Sequence, residues 1–115
     1  MEQLNRIEIR GIVGNVKLQA FTENRVARFS VVTNYAYRGK EGAPVIESTW
    51  HTVLAREGRS IQDLDRIAKG SKVFVQGKMR YQKYIGSDGG EKLSAEIVAD
   101  KVVLLDDSES LRYEM

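Results

Sequence analysis

An all-β barrel of five strands, with one short helix between the third and fourth, is the fold this sequence predicts. Three observations predict it. Apolar residues recur at every second position through most of the 115-residue chain, the period of a half-buried strand. Turn-forming segments rich in Gly, Asn, Asp and charge cut that pattern into five runs. One stretch, Ser60 to Lys69, switches to helical spacing.

Ile7 and Ile9 alternate with Arg6, Glu8 and Arg10 and open the first strand. Gly11 interrupts it, and a glycine inside a strand pattern predicts a bulge or sharp bend. Ile12, Val13, Val16 and Leu18 carry the strand on, and Thr22-Glu23-Asn24 reads as a turn. The second strand runs from Val26 to Asn34. Phe29, Val31 and Thr33 share one face, and Arg28, Ser30 and Asn34 the other. Arg38 to Pro44 is a charged loop holding the one Pro of the chain. Ile46 to Ala55 is the third strand.

The helix follows. Ser60 has the character of an N-cap, with Asp63 at capping-box spacing. Ile61, Leu64, Ile67 and Ala68 form an apolar stripe. Lys69 falls where the helix dipole favours a cation, and Gly70 suits the C′ position. Ser71 to Ile85 is the fourth strand, and Gly86 to Gly90 is a hairpin loop. Leu93, Ala95, Ile97 and Ala99 begin the fifth strand, which continues through Val102 to Leu105. Three strands, a helix and two strands is the element order of the OB-fold, a five-stranded Greek-key barrel. A split or SH3-like barrel is the rival. The helix placed before the last two strands favours the OB-fold. Residues 1–105 are read as one domain and 106–115 as a short acidic tail.

Composition bounds the function. Hydrophobic residues make up 42% and charged residues 30%, which are globular proportions. Without cysteine there is no disulfide, thiolate metal site or Cys nucleophile. No apolar run approaches the ~20 residues of a membrane span, and the N-terminus has no signal-peptide core. The net charge of +2 hides an asymmetry. Residues 1–105 hold 17 basic and 12 acidic residues, and residues 106–115 hold one basic and four acidic. Residues 66–87 hold six cations and no acid.

Enzymatic groups are missing. His51, the one His, lies mid-strand with no evident catalytic partner and reads as a packing or interface residue. Asp63 and Asp65 do not share a helix face and read as a capping and a solvated carboxylate. No phosphate loop, nucleophile elbow or dinucleotide motif occurs. No enzyme activity, metal or cofactor is expected.

What the chain does carry is cations interleaved with rings. On the fourth strand, Val73, Val75, Gly77 and Met79 read as core. The alternate positions Lys72, Phe74, Gln76, Lys78, Arg80, Gln82 and Tyr84 are cationic, amide-bearing or aromatic. Such a face suits single-stranded nucleic acid, because cations attract phosphates and rings stack on bases that a duplex would hide. Tyr84, at the strand tip, is better placed for a ligand than for a core. Tyr35 and Tyr37 lead into the charged loop. The neighbours of Trp50 leave open whether it faces core or solvent.

These segments resemble a family. Leu4 to Asn15 is similar to the opening strand of bacterial single-stranded DNA-binding proteins, and Val26 to Asn34 to their second strand. Ser48-Thr49-Trp50-His51-Thr52-Val53 resembles their T-E-W-H-x-V segment. Lys69 to Arg80 resembles their K-G-S-x-V-Y-h-x-G-x-L-R segment, and Ala95 to Asp100 the close of the domain. The resemblance covers roughly residues 4–105. It implies an OB-fold that assembles as a homotetramer and binds single-stranded DNA with little sequence preference, during replication, recombination or repair, in the cytoplasm with the nucleoid.

Carried over by position, the resemblance puts base stacking on Tyr37, Trp50 and Tyr84. A usually aromatic position falls on Arg56, whose guanidinium plane can also stack. Arg28, Arg38, Lys72, Lys78, Arg80 and Lys83 are the backbone-contacting cations, and His51 matches an interface position. The family's long Gly/Gln/Pro-rich tail with its Pro-Phe end has no counterpart in Asp106 to Met115, so the resemblance gives no ground for tail-mediated partners. A dimeric primosomal-type OB protein and an OB-type protein-interaction module are the alternative readings.

Overall fold

The computed structural model describes residues 1–20, 25–58, 61 and 64–105. Five strands form a closed barrel in the order β1-β2-β3-β5-β4. They are β1 (Ile7–Ala20), β2 (Arg25–Arg38), β3 (Pro44–Arg56), β4 (Lys72–Ile85) and β5 (Glu91–Leu104). A short parallel pairing of Val53 and Leu54 with Ile97 and Val98 closes the barrel between β3 and β5. The five-stranded OB-type barrel is therefore present, with β2 and β3 longer than the sequence pattern marked.

Alternation decides what faces inward. Phe29, Val31, Val53, Val73, Val75 and Ile97 are each 2% exposed or less. Each such side chain taken from water contributes about 1.5–3 kcal/mol. On β5 the inward set switches from Ile97 and Ala99 to Val102 and Leu104. A bulge causes the switch: Gln76 pairs with Lys101 and Gly77 with Ala99, leaving Asp100 extra.

Of the bulge or sharp bend expected at Gly11, the bulge is not there. The ladder breaks later, where Gly14 and Asn15 together oppose Ser30, whose Oγ accepts the Asn15 N–H at 2.9 Å. Gly11 instead marks the point where β1 passes from β4 to β2, since Ile12 pairs with both Lys72 and Val32. A side chain at residue 11 would meet the Val32 carbonyl oxygen at 2.2 Å.

The short helical element lies between β3 and β4 as expected, and among the described residues of 60–69 it is a 3-10 turn, Leu64–Arg66. The apolar spacing was sound in its purpose: Ile61, Leu64 and Ile67 are buried in the core cluster, although Ala68 is exposed. The Ser60 and Asp63 capping reading lies outside the described residues. Asp65 is not merely solvated. Its two carboxylate oxygens accept from Arg25 Nη1 at 2.8 Å each, and Glu57 accepts from Arg25 Nε at 2.6 Å. Those carboxylates raise the Arg25 pKa, and the Arg25 hydrogen bond lowers that of Glu57. Gly70 adopts a left-handed φ of 91° and donates its N–H to the Val13 carbonyl, returning the chain to the barrel.

Two hairpins extend from this body. The β2–β3 ladder runs unbroken from Val26–Arg56 out to Arg38–Pro44. The β4–β5 ladder runs out to Ile85–Glu91. They carry most of the candidate residues.

Candidate nucleic-acid interface

Side chains alternate across each hairpin, so the register sorts the candidates by face. On β2 and β3 the outward set includes Arg28, Asn34, Arg38, Ser48, Trp50 and Arg56. On β4 and β5 it includes Lys72, Lys78, Arg80, Tyr84, Lys92 and Glu96. The Leu54–Val98 pairing joins the two sets into one outer surface.

Trp50 lies in that surface and is 61% exposed, which settles the face that its neighbours left open. Tyr84 is 49% exposed near the tip of β4. Arg28, Arg38, Arg56 and Lys78 are exposed. Lys72 is half-buried at the start of β4.

Two candidates fall elsewhere. Tyr37 is on the opposite side of the β2–β3 ladder from Trp50, and Lys83 is on the opposite side of the β4–β5 ladder from Tyr84. Tyr37 stacks at a tilt on Tyr35, with ring centroids 5.8 Å apart. Its hydroxyl donates to Glu47 Oε1 at 3.3 Å. The Glu47 charge, followed by burial, raises the Tyr37 pKa. His51 shares that core-side face. It is half-buried, its Nε2 lies 2.9 Å from Thr33 Oγ1, and burial lowers its pKa.

Sequence reasoning missed two residues of the outer surface. Lys92 pairs directly with Tyr84 and places its cation on the same face. Counting back from the Gly86–Gly90 turn would have found it. Glu96 is the other. Its carboxylate is 2% exposed, yet it points to the outer side between Arg28 and Arg80. Arg28 Nη1 lies 3.6 Å from Oε1, and Arg80 Nη2 donates to Oε2 at 3.4 Å. Part of the positive charge read from those two arginines is thus answered within the fold. A lone Glu in an apolar strand segment gave no sign of this.

Among the described residues there is no cluster of three metal-ligating side chains and no helix long and apolar enough to cross a membrane. The surface offers ring planes, guanidinium and ammonium groups, and amides. It is equipped to bind a polyanion with exposed planar bases.

Known proteins agree with that chemistry. Residues 4–105 match the model of the single-strand binding protein family. A mitochondrial single-stranded DNA-binding protein of Danio rerio is 33% identical over 120 residues, covering 96% of this chain and 81% of its own. A single-stranded DNA-binding protein of Xanthomonas campestris is 33% identical over 104 residues, covering 89% of this chain and 60% of its own. Among solved structures, a Plasmodium falciparum SSB in complex with ssDNA superposes with a TM-score of 0.75 at 25% identity, covering 92% of this chain and 98% of its own. A small single-stranded DNA-binding protein of Streptomyces coelicolor shares the fold, with a TM-score of 0.69. The chain belongs to the single-strand binding protein family.

Proposed function

We propose that this protein binds single-stranded DNA with little sequence preference, and so protects and organises it during replication, recombination or repair. The observation that carries the reading is the 61%-exposed indole of Trp50 on an outer surface that also holds Arg28, Arg56, Lys78, Arg80 and Tyr84. Stacking tolerates any base because every base has a π-face. The cations track phosphates and carry no sequence information. Tyr37 and Lys83 contribute from the reverse faces of their hairpins, and Lys72 and Arg38 from the ends of β4 and β2. Residues 1–105 act as the binding domain, in association with the nucleoid.

Family membership supports self-association, as a homotetramer by the sequence resemblance, with His51 near a subunit contact. Light scattering of the free protein distinguishes a tetramer from the dimer of a primosomal-type relative. Binding itself is tested by titrating a thymidine oligomer while following Trp50 emission. Quenching is expected, with log affinity falling against log salt by about 0.7 per phosphate neutralised. Unchanged emission together with no mobility shift at low salt rejects the reading and leaves the protein-interaction alternative.

A further inference from the structure

The β4–β5 hairpin has a second face, opposite the one that carries Lys78, Arg80, Tyr84 and Lys92. There Met79, Tyr81, Lys83 and Ile85 of β4 lie across from Ile97, Ala95, Leu93 and Glu91 of β5. Inside the barrel this is the core side, and Met79 packs against the core cluster. Beyond Met79 the barrel ends and the same face emerges into solvent. Tyr81, Ile85 and Leu93 are 67%, 67% and 66% exposed. One exposed apolar side chain needs no explanation, but three on one face of one hairpin do.

Their arrangement has the parts of a base site. Tyr81 stands across from Ala95, whose methyl group leaves the space beside the ring open. Leu93 is the diagonal neighbour and bounds that space. Lys83 pairs with Leu93 and lies two residues, roughly 6–7 Å, along the strand from Tyr81. A ring plane, a gap, an apolar wall and a cation are what hold an unstacked base and its phosphate.

The edge of β4 gives a route to this face. β1 begins at Ile7, paired with Gly77. Just ahead of it, the Asn5 side chain donates to the Met79 carbonyl at 2.8 Å and accepts from the Met79 N–H at 3.0 Å. Among the described residues, no strand pairs with that edge of β4 from Arg80 to Ile85. A nucleic acid can therefore cross from the Tyr84 face to the Tyr81 face there. The backbone N–H groups of an open edge are themselves phosphate donors.

We propose that Tyr81, Lys83, Leu93 and Ala95 form a second base-binding shelf, so that single-stranded DNA folds over the edge of the β4–β5 hairpin and is gripped on both faces. The proposal rests on the single-strand binding reading above and adds a site to it.

The test uses the full chain, a thymidine oligomer and Trp50 emission, which reports from the other hairpin. Tyr81→Leu keeps the apolar bulk and removes the ring. It is expected to weaken binding about 5- to 150-fold, the range of one lost base stack, with an unchanged salt slope. Tyr81→Phe is expected to bind as the parent does. Lys83→Gln is expected to flatten the salt slope by about 0.7. Failure of the parent to bind overturns the function reading and the shelf with it. A parent that binds, beside a Tyr81→Leu variant that binds equally well, overturns the shelf alone. A fall in the mass of the free Tyr81→Leu protein by light scattering also overturns it, by showing a contact between copies. Should Tyr81→Leu lose its β-sheet circular dichroism, Ala95→Leu decides. It fills the gap from the partner strand, and undiminished binding by that folded variant overturns the shelf.

Discussion

The indole of Trp50 rests on Gly14. A β-carbon at residue 14 would lie 2.6 Å from Trp50 Cζ3 and 3.1 Å from Cη2. The ring therefore reaches across β2 to the bulge in β1, and the missing side chain there leaves it room. Since Trp50 is the proposed stacking platform, its pose depends on a glycine two strands away.

Gly14→Ala should move the ring without unfolding the barrel. The new methyl group meets the far end of the exposed Trp50 ring, which can swing away, and the Ser30 Oγ at 2.8 Å, which must rotate and loosen its hydrogen bond to the Asn15 N–H. The Trp50 emission maximum of the free protein is expected to shift, and thymidine-oligomer binding to lose up to the ~1–3 kcal/mol of one stacked base. Unchanged emission and affinity would show that the ring position does not depend on the bulge.

Gly11→Ala and Gly77→Ala should behave differently. A β-carbon there meets the carbonyl oxygens of Val32 and Val98, each at 2.2 Å. Backbone in a closed ladder cannot swing aside. Each substitution is expected to destabilise by at least the ~1–3 kcal/mol typical of overpacking. Urea unfolding should show a lower midpoint at unchanged slope. The variant Gly42→Ala is a control of another kind: its β-carbon has open space, and the strain comes only from a φ of 82°.

These glycines show where the sequence was legible and where it was not. Period-two alternation gave the five strands, because burial on one face of a strand leaves no other pattern. It could not separate Gly11 from Gly14, since a strand crossing between two partners and a bulge both call for a missing side chain. The 60–69 segment kept helical spacing because Ile61, Leu64 and Ile67 must all enter the core. Among the described residues, the 3-10 turn Leu64–Arg66 carries Leu64 inward, while Ile61 is held by a bridge to Gly58 and Ile67 follows the turn. On the outer surface, parity on a single strand pointed to Lys78 and Tyr84, whereas it left the face of Trp50 open and only the family resemblance singled that residue out. Lys92 and Glu96 come to the surface through cross-strand register, which one strand does not reveal.

Glu96 sets up a contrast between arginines and lysine on the outer surface. Among the described residues, Arg80→Ala leaves the buried carboxylate with Arg28 alone, at 3.6 Å, to answer it. Its cost should approach, from below, the ~3–5 kcal/mol of a broken buried pair. The exposed Lys78→Ala should stay within about 0.5 kcal/mol in stability. Both should weaken DNA binding. Equal stabilities of the two variants in chemical unfolding would show that Glu96 does not need Arg80.

Glu96→Gln tests the same triad from the other side. It releases Arg28 and Arg80, which are 50% and 40% exposed in their side chains and can turn to solvent. The outer surface gains one net positive charge. Binding at low salt is expected to tighten, and the salt slope to steepen by up to about 0.7 for each additional phosphate engaged. A slope equal to the parent's would mean that both arginines already reach phosphate with Glu96 in place.

His51 should make stability depend on pH in a defined window. Burial lowers its pKa in the folded protein below the ordinary value of about 6.5. As pH falls through that value, the unfolded chain takes up a proton before the folded one does. Stability is therefore constant with respect to this group above about pH 6.5 and declines below it, until the folded-state pKa is passed. The groups sharing its face are the Thr33 hydroxyl at 2.9 Å and, further out, Glu47, Tyr35 and Tyr37. The Glu57 carboxylate, lowered by Arg25, loses its contribution only as pH falls through its own depressed pKa, beneath this window. The melting temperature is expected to drop between pH 7 and pH 5.5 in the parent, and to change much less in His51→Gln. A glutamine there keeps a polar partner for Thr33 but has nothing to titrate, so an equal drop in both proteins would assign the pH dependence to another group.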